Sequence, residues 1–431
     1  MLSLVLFLCG WVLGAVDQLT DHSGAELSVH FLAIGDWGST VAKAGGDSSC
    51  CSQYHTPKSE ANYTRDLYAQ ANIGMLMGQS AKLHTPQAVL AHGDSFYWNG
   101  VGPDVVNTSY RFENTFEAVY NHPDLVNVPW LNVMGNHDYG GSGFICGEEP
   151  CPSPQAIRRG LQLKFQAQHT YKSPASDRWH LDHWFKSTFR QGNVSVDVLS
   201  VDTNGHANVH GATHICCQCY GYLSLHPQKS PSLCANPVPG EALCAGGDVA
   251  LYLACMDELV GYANASLAFV ETEAKQARQV DWKIVNSHFA PHYHMDPQWQ
   301  SQWLEALRTA HLLVHGHTHG ANHVKMRGCD GSHHPVHFVE NGAGGGIIAE
   351  AGHATAPAGM DLLWVAPQTP YGFFELAMSK TWLRLQFVTF DSQWNFGSPS
   401  EEGQVVGGRS VLYCTWIPHP GLGPAHHELP C

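Results

Sequence analysis

Charge is scarce in this chain: only 14% of its 431 residues are Asp, Glu, Lys or Arg, and 22 basic residues face 37 acidic ones, a formal net charge of −15. No block of Lys and Arg is present, so the phosphate-neutralising surface that nucleic acid requires is lacking. Long apolar runs are also lacking. After residue 16 no stretch is long and apolar enough to span a bilayer, and the C-terminal sequence is polar and Pro-rich with no lipid-anchor tail. No internal repeat is visible. An apolar content of 44% argues against disorder, and the length rules out a small disulfide scaffold.

What is present points to export. Residues 1–16 contain an apolar run, Leu2 to Val16, that ends in small residues before Asp17 and reads as a signal peptide cleaved near Gly14 to Val16, although no basic residue precedes the run. Four sequons begin at Asn62, Asn107, Asn193 and Asn264. Beyond Cys9, thirteen cysteines occur, several of them clustered: Cys50 with Cys51, Cys146 with Cys151, Cys216 and Cys217 with Cys219, then Cys234, Cys244 and Cys255. In an exported chain these read as disulfides with one thiol left over; the competing reading is a zinc site on Cys216, Cys217 and Cys219. The 29 histidines, with ordinary pKa values near 6.5, would carry the net charge from −15 to roughly +10 by pH 5. That would suit an acidic compartment and anionic substrates.

Short β-rich apolar runs recur, each ending in residues able to bind a cation: Val29 to Ile34, Ala88 to Ala91, Trp130 to Met134, Trp282 to Val285 and Leu312 to Val314. Trp299, Trp303, Leu304 and Leu307 have helical spacing and predict a crossover helix, and 265–279 reads likewise. Continuous apolar strands alternating with amphipathic helices imply an α/β fold whose strands are buried on both faces. The stretches 41–60, 140–178 and 205–260, rich in Gly, Pro, Cys and Ser, read as stapled loop insertions, and 396–431 as a Gly/Pro-rich tail held by Cys414 and Cys431.

The strand ends deliver Gly35-Asp36-Trp37-Gly38, Gly93-Asp94-Ser95-Phe96-Tyr97, Gly135-Asn136-His137-Asp138, Asn286-Ser287-His288 and Gly316-His317-Thr318-His319. Carboxylates, imidazoles, an amide and a phenol suit hard or borderline cations, and six or seven donors exceed what one tetrahedral ion takes. Two cations sharing a carboxylate is the arrangement useful for phosphoryl transfer. Each motif alone is weak, since Gly-Asp pairs are common in turns; five in order at strand ends are not.

With these motifs the chain resembles the metallophosphoesterase superfamily and, within it, the purple acid phosphatases of the small, tartrate-resistant type. The resemblance runs over roughly 27–395 and takes in Arg178-Trp179, the strand Val194 to Val201 ending at Asp202, Asn341-Gly-Ala-Gly and Tyr371-Gly-Phe-Phe-Glu. It implies a four-layer α/β/β/α sandwich with two mixed sheets. It also implies a ferric site of Asp36, Tyr97 and His319, a divalent site (Fe, Zn or Mn) of Asn136, His288 and His317, and Asp94 as the bridge. The implied activity is hydrolysis of small phosphate monoesters in acid, outside the cell or in an acidic lumen, with a metal-bound hydroxide as nucleophile. His137 would bind phosphate and protonate the leaving alcohol, with Asp138 fixing its ring. His292 and His294 would add cations facing the phosphate or simply lie in a solvated loop, while His92 and His315 would support the ligands from behind. A dinuclear phosphodiesterase or nucleotide hydrolase shares everything but the emphasis on Tyr97, and a non-catalytic binding glycoprotein would be expected to have lost ligands.

Overall fold

The computed structural model describes residues 20–39, 63–102, 105–140, 144–147, 149–220, 234, 236–276, 280–327, 334–394, 407–423 and 425–431. The apolar run at 1–16, Asn62, and Cys9, Cys50, Cys51 and Cys329 lie outside them.

Among the described residues, fifteen strands form two mixed sheets. In chain order they are β1 (Val29–Ile34), β2 (Ala88–Ala91), β3 (Trp130–Asn132), β4 (Trp179–Leu181), β5 (Trp184–Gln191), β6 (Val194–Val201), β7 (Trp282–Ser287), β8 (Leu312–His315), β9 (Ala321–Met326), β10 (Val336–Asn341), β11 (Met360–Val365), β12 (Phe373–Met378), β13 (Trp382–Phe390), β14 (Arg409–Pro418) and β15 (Leu429–Pro430). The first sheet has the order β15-β14-β13-β12-β1-β2-β3-β4 and the second β11-β9-β10-β8-β7-β6-β5. In the first sheet β1 to β4 are mutually parallel, and β12 pairs antiparallel with β1. In the second, β6, β7, β8 and β10 run parallel.

The alternation of side chains along each strand builds the layers. Val29, Phe31 and Ala33 of β1 face one way and meet Val196, Val198 and Ile284 of the second sheet in a shared core. Leu32 and Ile34 face the other way, onto Ile73, Leu76 and Met77 of the helix Ala69–His84. Behind the second sheet, Val285 and Leu313 pack on Trp303 and Leu307 from the helix Pro297–Ala306 and the turn after it, and on Leu267 and Val270 of the helix Val249–Lys275. The architecture is therefore a four-layer α/β/β/α sandwich. With both of its faces buried, β2 reads as an unbroken apolar run, and β1 is interrupted only by His30.

Two stretches expected to be loops contain helices. Within 140–178, Pro154–His169 is helical, with Pro154 in its first turn and the Ser153 hydroxyl accepting from the Ala156 amide at 3.2 Å. Within 205–260, Ala212–Gln218 is helical and the 27-residue helix Val249–Lys275 has already begun, sixteen residues before the position its periodicity suggested. Cys216–Cys255 joins these two helices, and Cys217–Cys234 closes the lobe, which leaves those two sulfurs unavailable for the zinc alternative. Cys146–Cys151 and Cys414–Cys431 are also bonded. Among the described residues Cys219 and Cys244 are free and buried, already two thiols where one was expected, and burial pushes them up to about 12 and about 11. Residues read as a tail instead contribute β14 and β15 to the first sheet.

The long helix starts at Asp248, whose carboxylate accepts from the amides of Ala250 at 2.8 Å and Leu251 at 3.1 Å. Asp248→Ala is expected to cost about 1 kcal/mol in urea unfolding and Asp248→Asn a fraction of that. Equal stability of the Ala variant and the parent would mean that this helix has no cap at Asp248.

Candidate metal centre

The parallel strands of both sheets end at one edge, and the turns that follow carry the donors. Asp36 follows β1, Asp94 and Tyr97 follow β2, Asn136 follows β3, His288 follows β7, and His317 and His319 follow β8. Three of these ligand candidates sit in the left-handed region, Asp36 at φ 56°, Asp94 at 51° and His317 at 76°. Side chains rarely adopt that backbone, and where they do so the surroundings must hold them. Glycine makes room for the turns: a Cβ on Gly135 would lie 2.2 Å from Asp94 Oδ1, and Gly93, at φ 89°, would put one 2.9 Å from His288 Nδ1.

The donors fall into two sets. In one, the Tyr97 hydroxyl donates to Asp36 Oδ1 at 2.9 Å and lies 3.4 Å from His319 Nε2, itself 3.7 Å from Asp36 Oδ1. In the other, Asn136 Oδ1 is 3.0 Å from His288 Nε2 and 3.2 Å from His317 Nδ1. Asp94 lies between them, with Oδ1 3.6 Å from His288 Nε2, and ligand atoms of Asp36, Asp94 and His288 all fall within 4.8 Å of one another. His288 Nδ1 donates to the His92 carbonyl at 2.7 Å, which leaves Nε2 with its lone pair facing inward, the tautomer a cation requires.

Electrostatics call for positive charge here. Burial, with Asp94 adding repulsion, raises Asp36 well above the usual carboxylate range. Burial pushes Asp94 the same way, but His288, His137 and the His137 amide outweigh it and hold Asp94 below that range. Two adjacent carboxylates with 0% and 1% exposure, surrounded by inward-facing imidazoles, an amide oxygen and a phenol, fit a site for one or more cations.

His137 lies at the edge of this cluster, its ring 4.7 Å from that of Tyr97 and 5.1 Å from that of Trp98. Nδ1 donates to the Trp98 carbonyl at 2.7 Å. The expectation that Asp138 fixes this ring is not met, because the Asp138 carboxylate accepts instead from the amides of Gly135 at 2.8 Å and Ser95 at 3.0 Å and so braces the turns carrying Asn136 and Asp94. Burial and then Asp94 raise Asp138 to about 7.

His292 does not face the centre as an added cation. Its ring packs 4.5 Å from Phe338, neither nitrogen has a hydrogen-bond partner, and burial lowers it to about 3. His294 is also buried; its Nδ1 accepts from the Ala290 amide at 3.0 Å and its ring stands 4.9 Å from that of His317. His92 and His315 are buried within their strand ends. Burial lowers His30 and His206 to about 4 and His92, His214, His292 and His337 to about 3, so the charge reversal expected by pH 5 is smaller than the histidine count suggests.

Two side chains at the site had no counterpart in the sequence reading. Glu350 Oε1 lies 3.5 Å from His319 Nδ1 on the outer side of that ring. His210, from the Cys-rich lobe, brings its ring within 5.7 Å of that of His317. It follows the β6 strand end by nine residues, and that position was its one available signal.

The sequence profile of the calcineurin-like phosphoesterases matches residues 29–321, which carry all seven donors. The chain belongs to that family. Among curated proteins it is 27% identical to tartrate-resistant acid phosphatase type 5 of Oryctolagus cuniculus over 213 residues, 49% of each chain. It is 30% identical to the Sus scrofa protein of the same name over 194 residues, 44% of each. Purple acid phosphatase 3 of Arabidopsis thaliana is 30% identical over 127 residues, 29% of this chain and 26% of that one. The chain is thus a metallophosphoesterase similar to purple acid phosphatases, and it spans about half the length of the first of these relatives.

The Asp36 shift sets a pH dependence. A carboxyl whose folded pKa lies above its ordinary 3.8 stabilises the fold while protonated, and that contribution is lost as pH rises from 3.8 through the folded value. In metal-free protein, Asp36→Asn is therefore expected to gain stability over the parent progressively above about pH 4, read as a widening difference in Tm. A constant difference across pH would mean that Asp36 is not strained by burial and by Asp94.

Proposed function

We propose that this chain is an acid phosphatase hydrolysing phosphate monoesters at a dinuclear centre, exported as a glycoprotein to the extracellular space or an acidic lumen. The observation that carries the reading is the pair of donor sets meeting at Asp94, one of them containing a phenol. Asp36, Tyr97 and His319 would hold Fe(III), Asn136, His288 and His317 a divalent ion (Fe, Zn or Mn), and Asp94 both. When bound, the cations would supply Lewis acidity toward the phosphoryl group and acidify a water molecule. Partial similarity to tartrate-resistant and purple acid phosphatases supports the same reading.

The residues of the chain do the rest. With Nδ1 committed to the Trp98 carbonyl, His137 has Nε2 free to carry and release a proton. Burial lowers its basicity more than Asp94 restores it, so a proton carried by the ring is held weakly and is readily passed to a leaving alkoxide. The Asp138 carboxylate keeps the adjoining turns in place and so fixes the distance from His137 to Asp94, whose Oδ1 accepts the His137 amide at 2.9 Å.

Tyr97 separates this reading from a diesterase. Purified protein should contain iron and absorb in the visible, and Tyr97→Phe should abolish the band while retaining measurable activity on an aryl phosphate. A colourless, iron-free parent that cleaves diesters would overturn the assignment.

Activity should peak in acid. His137→Ala should slow alkyl phosphates by about 10² to 10⁴ and aryl phosphates far less, because an aryl oxide leaves almost unaided. Equal slowing of both classes would remove the acid role of His137.

A further inference from the structure

The segment between β6 and the helix Ala212–Gln218 is anchored at every step. Asn204 Nδ2 donates to the Met134 carbonyl at 2.9 Å. Ala207 bridges to Met295, the Asn208 amide donates to the His294 carbonyl at 2.9 Å, and Asn208 Nδ2 donates to Asp296 Oδ1 at 2.6 Å. Gly211 folds so tightly onto this segment that a Cβ would stand 2.3 Å from the Ala207 carbonyl oxygen. The helix that follows is stapled through Cys216–Cys255 and Cys217–Cys234.

Between these anchors His210 occupies the left-handed region at φ 56°, a conformation that costs a non-glycine residue about 1–3 kcal/mol and persists only where its surroundings impose it. The result is an exposed imidazole on the rim of the metal centre, its ring 5.7 Å from that of His317 and 4.9 Å from that of His214.

We propose that His210 contacts the substrate and determines its class, donating a ring N–H to an unesterified phosphoryl oxygen. The unesterified oxygens of a monoester dianion carry more negative charge each than those of a diester monoanion, so a rim donor of this kind favours monoesters. The proposal rests on the phosphate-ester reading above. It also gives the Cys-rich lobe a role: its disulfides hold in place an imidazole that reaches the centre from outside the strand-end turns.

The test uses the metal-loaded protein, 4-nitrophenyl phosphate, bis(4-nitrophenyl) phosphate and inorganic phosphate. His210→Ala should weaken calorimetric binding of inorganic phosphate about tenfold, the size expected for one hydrogen bond to a charged group. KM for the monoester should rise by a similar factor with kcat nearly constant, lowering the monoester-to-diester preference, and His210→Gln should recover part of the loss. Unchanged phosphate affinity and KM in His210→Ala would overturn the proposal. A parent that turns over only the diester would defeat the monoester reading, whereas phosphate affinity would still decide whether His210 is a ligand.

Discussion

Asp36 and Asp94 stand side by side where water does not reach, and their mutual repulsion is the constraint around which the rest of the molecule is arranged. Each carboxylate receives a backbone amide, from His317 at 2.8 Å and from His137 at 2.9 Å, and each sits on left-handed backbone at a strand end. Neither feature would persist on a mobile loop. Strands buried on both faces hold the turns, and glycines at 93 and 135 let those turns approach one another without a side chain between them. A site that concentrates negative charge in a dry place stays charged only if cations enter it, so the stability of the fold and the affinity for metal draw on the same geometry.

The two sheets contribute different chemistry. Turns of the first sheet carry both carboxylates, the phenol, the Asn136 amide and His137; turns of the second carry the three imidazoles His288, His317 and His319. Residues quoted for resemblance alone turn out to brace this frame. Arg178, fully buried, donates to the Tyr120 carbonyl at 2.7 Å and pairs with Glu117; the Tyr139 hydroxyl donates to Asp202 at 2.6 Å; and Asn341 Nδ2 donates to the Ala33 carbonyl at 2.7 Å, tying β10 to β1 across the two sheets.

Much of this was legible in the sequence because the relevant signals are local. Burial on both faces leaves an apolar run, and β1 and β2 begin and end where their runs do. The ligand-bearing turns follow those runs directly. The helices Pro154–His169 and Val249–Lys275 were obscured because Cys, Gly and Pro in the surrounding stretches outweighed a cap and a periodic face. Asp138 and His137 are adjacent in sequence but turn to different partners, since the acceptor for His137 is a backbone carbonyl, which no residue type announces. His292 looked like a cation because it is close to His288 along the chain, yet the turn Pro291–His294 directs it into the apolar layer behind β10. His210 was missed because what places it is tertiary: bonds to 294–296 and a lobe closed by disulfides.

The strand order also bears on how the chain is made. β1, near the start, lies between β2 and β12, and β12 is followed by β13 and β14, whereas the second sheet is drawn entirely from β5 to β11. During synthesis the second sheet can therefore be complete while one edge of β1 still lacks its partner, awaiting residues 373–378. Until then the nascent chain presents an unpaired, apolar strand edge beside the first carboxylate turn, a template for wrong pairing. A chain released between residues 365 and 373 would leave an intermediate prone to aggregation, with the imidazole half of the site formed and the first sheet still open.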